Sequence, residues 1–203
     1  MCRNAPELGT GNAYSPRVRI WTVPNVITFL RLAAVPVFAV LHAVNDPVAA
    51  LLVFVGAGLS DGLDGLFARL LDQRSRLGAL LDPVADKVLL TTALIALTLT
   101  GELPLWFLLL ALLREATLIV GALAVHRRGW EVPAKPARLG KYAVFCQLAA
   151  VALGLISRVP AWRGGVDPYL AAAILLAAEC IVLSAFQYGW QFGNLLSTRP
   201  QRS

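Results

Sequence analysis

Asp61, Asp64, Asp82 and Asp86 place four carboxylates within a short stretch of otherwise strongly apolar sequence. Ionisable groups at bilayer depth are costly to keep and mark functional positions. Their spacing is as informative as their charge. Read as helix at about 100° per residue, Asp61, Asp64, Gly65, Ala68 and Arg69 share one face. Gly78, Asp82 and Asp86 recur every four residues, again on one face. An antiparallel pair joined by a short loop sets Asp64 level with Asp82 and Asp61 level with Asp86, each about 8–14 Å from the shared end. Four carboxylates so gathered repel one another unless cations intervene. Two divalent ions, hard Mg²⁺ or Mn²⁺, suit all-oxygen ligation and leave positions for water and phosphate. Such a site fits pyrophosphate chemistry. Gly65, Ala68 and Gly78 leave room for a flat group between the helices, and Arg69 can grip a phosphate as a bidentate fork.

The elements that must position these groups follow from composition. Of 203 residues 58% are hydrophobic and 15% charged, and mean hydropathy is +0.68. That balance excludes an ordinary soluble domain. Six apolar segments, 23–44, 48–70, 77–99, 103–125, 139–156 and 169–190, are each long enough to cross a hydrocarbon core of about 30 Å. The predicted class is an all-α integral membrane protein, a bundle of six transmembrane helices. Residues 1–22 form a cytoplasmic tail with an interfacial end, and 191–203 a second tail. The first twenty residues lack the apolar core of a secretory signal.

Basic residues orient the bundle. Arg3, Arg17, Arg19, Arg69, Arg74, Arg76, Arg127, Arg128, Lys135, Arg138, Lys141, Arg199 and Arg202 fall on one side, and only Arg158 and Arg163 on the other. The positive-inside rule then puts both termini in the cytoplasm, with the acids in the cytoplasmic half of the bilayer. The net charge of +6 reads as topology and attraction to anionic lipid heads. A nucleic-acid partner is not expected, because the cations are spread over loop ends without an aromatic platform. Cys2, Cys146 and Cys180 lack metal-ligand spacing. His42 and His126 sit near opposite faces and cannot pair.

The pattern Asp61-x2-Asp64-Gly65-x2-Ala68-Arg69-x8-Gly78-x3-Asp82-x3-Asp86 resembles the signature of the CDP-alcohol phosphatidyltransferase family, with every position filled. The resemblance implies an enzyme that moves a phosphatidyl group from CDP-diacylglycerol to an alcohol and releases CMP, with residues 23–190 as its domain. It further implies that Asp61, Asp64 and Asp82 bind metal, and that Asp86 completes the site and acts as general base. Gly65, Ala68 and Gly78 would line the cytidine pocket and Arg69 would contact the diphosphate. A homodimer in a bacterial inner membrane is implied as well.

Thr22-Val-Pro24-Asn25, Arg31, Asp82-Pro83-Val-Ala-Asp86-Lys87, Arg114-Glu115 and Gly140-Lys141 with Gln147 are similar to the phosphatidylglycerophosphate and cardiolipin synthase branch. The chain departs from that branch at Tyr142, Ala143 and Val144, where a Lys or Thr is frequent. Arg31, Arg114, Lys135, Arg138 and Lys141 could gather at the inner mouth and attract an anionic acceptor. Glycerol 3-phosphate is the first expectation, phosphatidylglycerol the second and inositol phosphate the third. A small divalent-cation transporter is the alternative of another class. It would need acids reaching the outer face, where the sequence offers no second acidic set.

Overall fold

A computed structural model of the protein describes residues 23–71, 76–127, 138–162 and 164–197. The side chains of 61–83 and of several helix-end residues lie outside the described set. Six helices make up the described chain: α1 Val23–Ala43, α2 Pro47–Leu71, α3 Arg76–Leu99, α4 Leu105–Arg127, α5 Arg138–Ser157 and α6 Asp167–Ser197. No strand occurs among the described residues.

Local chemistry explains the helix ends. Asn45 turns the chain after α1 with φ 60°, a left-handed conformation that Asn tolerates better than bulkier residues. Asp46 then caps α2: its Oδ1 accepts the Ala49 backbone N–H at 3.1 Å, and Pro47 takes the first helical position, where no donor is needed. Gly101, at φ 89°, stops α3. The Glu102 N–H donates to the Leu97 carbonyl and the Gly101 N–H to that of Thr98, the paired bonds of a Schellman end. α4 starts at Leu105 rather than at residue 103, because Pro104 fits the helix start and leaves Leu103 buried in the turn. α6 continues past residue 190 to Ser197, since no proline interrupts the chain before Pro200.

The helices meet in the ring order α1, α2, α5, α6, α4, α3, and α3 also touches α5 across it. α1 thus packs against both α2 and α3. Small side chains at the contacts, Ala50, Ala93, Ala143, Ala150 and Ala177, are buried among Phe38, Phe107, Leu97 and Ile181. Such residues let helices approach closely where apolar burial alone does not drive association. Gly154 shows how closely: a Cβ there would sit 3.1 Å from Leu97 Cδ1.

Each helix also turns large apolar side chains outward, among them Leu30, Leu52, Leu99, Leu113, Phe145 and Phe186. An apolar exterior on all sides suits lipid rather than water. Leu139–Ser157 and Asp167–Trp190 are long and apolar enough to cross a bilayer by length and composition. Thr28–Ala43 of α1 and Pro47–Ser60 of α2 are shorter apolar helical stretches among the described residues.

At one end of the bundle a single arginine joins three loops. Arg158 donates from Nη1 to Glu102 Oε1 at 3.1 Å and from Nη2 to Asn45 Oδ1 at 2.5 Å. Its side chain is largely buried. Hydrogen bonds to a charged group are each worth about 1.5–3 kcal/mol. Arg158→Met is therefore expected to destabilise the bundle by about that energy, read by circular dichroism in detergent as a fall of several degrees in melting temperature. An unchanged melting temperature would show that the three loops hold without this tie.

Candidate active site

Asp86 lies in α3, roughly ten residues from its start, and is reached from α1 by Arg31. Arg31 Nη1 donates to Asp86 Oδ1 at 2.6 Å. The arginine side chain is 1% exposed, whereas that of Asp86 is 42% exposed. One partner is thus locked in the packing and the other opens onto space. Burying a guanidinium is tolerable only when it is paired and hydrogen-bonded. The pair therefore sets the position of both groups.

The space is a cavity of about 320 Å³ between α1, α2, α3, α4 and α5. Arg31, Asp86, Lys87 and Glu115 supply its charged lining. Phe54 and Gly58 of α2, Leu89 and Leu90 of α3, and Val144 and Leu148 of α5 supply an apolar wall. A cavity with a few convergent polar groups and otherwise apolar walls fits a ligand with a polar head and an apolar body. A second cavity, about 360 Å³ and lined by Thr100, Glu102, Ser157 and Asp167, lies at the Arg158 end and contains none of the signature residues.

Beside Asp86, Lys87 forms an ion pair with Glu115 Oε2. Glu115 Oε1 accepts from Arg114 Nη1 at 2.6 Å, and Arg114 Nη2 donates to the Gly140 carbonyl at 2.9 Å. This chain of contacts joins α3, α4 and α5. Gly140 lies close to these groups: a Cβ there would meet Tyr188 Oη at 3.2 Å, so the tyrosine would have to give by a few tenths of an ångström, and Arg114 Nη2 in ordinary contact at 3.6 Å. Gln147 is buried, and its Oε1 has no hydrogen-bond partner among the described groups. It borders a gap of about 20 Å³ next to Lys87 and Glu115.

The expected site residues divide as follows. Asp61, Asp64, Gly65, Ala68 and Arg69 lie on α2, and Gly78 and Asp82 on α3. Their side chains are outside the described residues, so Asp86 alone of the signature can be placed by its contacts. Arg31 lines the cavity. Arg114 does not: its guanidinium is 5% exposed and committed to Glu115 and Gly140. Its terminal nitrogens tie Glu115 of α4 to the start of α5. Lys141 is exposed on α5 and absent from the cavity lining. Lys135 and the side chain of Arg138 lie outside the described residues. Sequence reasoning gave no site role to Lys87 or Glu115. The rule that charges at membrane depth are functional, applied to them as it was to the aspartates, finds both.

Comparison with known proteins bears on what this cavity serves. The family model described as CDP-alcohol phosphatidyltransferase matches residues 21–185. A Mycobacterium tuberculosis protein named probable phosphatidylglycerophosphate synthase is 39% identical over 177 residues, covering 84% of this chain and 82% of its own. The Streptomyces coelicolor cardiolipin synthase (CMP-forming) is 41% identical over 150 residues, covering 71% of this chain and 69% of its own. The human cardiolipin synthase (CMP-forming) is 32% identical over 184 residues, covering 83% and 60%.

Proposed function

We propose, from the premise that this chain belongs to the CDP-alcohol phosphatidyltransferase family, that it moves the phosphatidyl group of CDP-diacylglycerol to the hydroxyl of glycerol 3-phosphate and releases CMP. The observation that carries this reading is Asp86, held by Arg31 at the edge of a cavity. The cavity face of α2 supports it. At 100° per residue, Phe54 and Gly58 are followed on that face by positions 61, 65 and 68. On α3, positions 82 and 78 precede Asp86 at four-residue steps.

Asp61, Asp64, Asp82 and Asp86 are the proposed metal ligands. Four hard oxygen donors fit Mg²⁺ or Mn²⁺, and the exposure of Asp86 to the cavity fits a ligand that also meets substrate. Two such ions, when bound, would offset the negative charge of the carboxylates and of the diphosphate. Asp86 takes the proton of the acceptor hydroxyl as its oxygen forms the new bond to phosphorus and the bond to CMP breaks. Gly65, Ala68 and Gly78 make room for the cytidine, and Arg69 grips the diphosphate. Arg31, Lys135, Arg138 and Lys141 draw in the anionic acceptor.

All six helices span the membrane in this reading, with both termini and the acids at the cytoplasmic side of a bacterial inner membrane. Residues 1–22 and 191–203 flank the catalytic domain, 23–190, and two copies form a homodimer. One observation favours a second acceptor, phosphatidylglycerol, as in a cardiolipin synthase. Val144, one of the positions where the related branch often carries Lys or Thr, joins Leu148 in an apolar wall of the cavity.

The test is CMP release by purified protein in detergent with Mg²⁺ and CDP-diacylglycerol, offering the two acceptors in parallel. Release with glycerol 3-phosphate alone supports the first reading, and release with phosphatidylglycerol alone replaces it with the second. A chelator is expected to reduce release by at least about 100-fold, with recovery on adding Mg²⁺. Turnover that survives metal removal would overturn the metal role of the aspartates.

A further inference from the structure

The charged groups around the cavity do not form two equal pairs. Arg31 and Asp86 hold each other, but Glu115 is shared by two cations. Those cations differ in kind. Arg114 is 5% exposed and fixed at both terminal nitrogens by Glu115 and the Gly140 carbonyl. Lys87 is 49% exposed, borders the cavity, and carries its ammonium on a flexible four-carbon stem. Its contact with Glu115 Oε2 is an ion pair without hydrogen-bond alignment. If Lys87 leaves, Glu115 keeps Arg114, so no buried carboxylate is stranded. If Arg31 left Asp86 for a ligand, the group expected to take the acceptor's proton would lose its described anchor.

We propose that Lys87 is the exchangeable cation of this site. It rests on Glu115 when the acceptor is absent and moves to the acceptor's phosphate when it binds, while Arg114 keeps Glu115 compensated. Glu115 is then a positioning residue, and Lys87 makes the direct contact. The inference rests on the phosphatidyl-transfer reading and adds to it the group that recognises an anionic acceptor. Glycerol 3-phosphate and the headgroup of phosphatidylglycerol both present the phosphate it needs. Among the described residues the remaining lining is apolar apart from Arg31, Asp86 and Glu115.

The experiment compares wild type with Lys87→Met, Lys87→Arg and Glu115→Gln. CMP release is measured against acceptor concentration at saturating CDP-diacylglycerol, in separate series with glycerol 3-phosphate and phosphatidylglycerol. Lys87→Met is expected to raise the acceptor KM by about tenfold to a hundredfold, as loss of one charged hydrogen bond implies, with kcat within about threefold. Lys87→Arg recovers most of that loss. Glu115→Gln leaves the acceptor KM equal or lower, because Lys87 loses its resting partner. The same variants are read without turnover by the rise in melting temperature that each acceptor produces, a rise that Lys87→Met abolishes. An unchanged acceptor KM in Lys87→Met, or a weakened affinity for CDP-diacylglycerol instead, overturns the proposal. Wild-type protein that is stabilised by acceptor yet releases no CMP would overturn the phosphatidyl-transfer reading and leave the Lys87 contact standing.

Discussion

Asp86→Asn is expected to lower CMP release by about a thousandfold while the affinity for CDP-diacylglycerol stays within a few-fold of wild type. The substitution keeps the shape of the side chain and an oxygen that can still accept the Arg31 hydrogen bond. It removes the negative charge and the ability to take a proton. General-base assistance alone contributes about a hundredfold to ten-thousandfold, and loss of a metal-binding carboxylate adds to the defect. The measurement is single-turnover CMP release beside equilibrium binding of the donor lipid. Wild-type turnover in this variant would remove Asp86 from the base role. An equal loss of binding and rate would recast it as a purely donor-binding group.

The largest effect on stability is expected from Arg114→Met. Arg114 is buried, and its hydrogen bonds join Glu115 on its own helix to the Gly140 carbonyl at the start of α5. Truncation leaves Glu115 with the half-exposed Lys87 alone and leaves the Gly140 carbonyl without this donor. Removing one member of a buried charged network costs about 3–5 kcal/mol, which for a chain of this size lowers the melting temperature by about 10 °C. Arg114 does not line the cavity. The acceptor KM, measured well below the transition, should therefore change less than in Lys87→Met. A melting temperature within a degree or two of wild type would show that the contacts of Arg114 contribute little to holding α4 and α5 together.

Most of the architecture was legible because long apolar helices announce themselves through uninterrupted apolar length. The six segments fall within a few residues of α1 to α6, except at the far end of α6. There residues 191–203 read as a tail, although no proline stops the helix before Pro200. The Asp ladder was legible for another reason: carboxylates at regular spacing in apolar sequence have few structural explanations. The burial of Arg114 was not legible, because sequence gives charge but not burial. An arginine expected at the inner mouth and one tied to the backbone of a neighbouring helix look alike in one dimension. The pairing of Arg31 with Asp86, 55 residues apart in sequence, depends on α1 packing against α3, and no local pattern encodes that contact. The apolar wall was invisible for the same reason. Phe54, Gly58, Val144 and Leu148 are unremarkable in sequence until α2 and α5 meet.

The position of α1 against both α2 and α3 has a consequence for biogenesis. In the reading in which all six helices span the membrane, α1 leaves the ribosome first, and Arg31 is already in place when Asp86 follows it into the bilayer. An aspartate at the centre of a lone inserting helix costs about 2.5–3.5 kcal/mol on the translocon scale. A neighbouring helix that presents a guanidinium offsets part of that cost at the moment of insertion. The residue that positions Asp86 in the finished protein thus also escorts it into the membrane in that reading. Chains that lose Arg31 would pay at the insertion machinery before any substrate arrives.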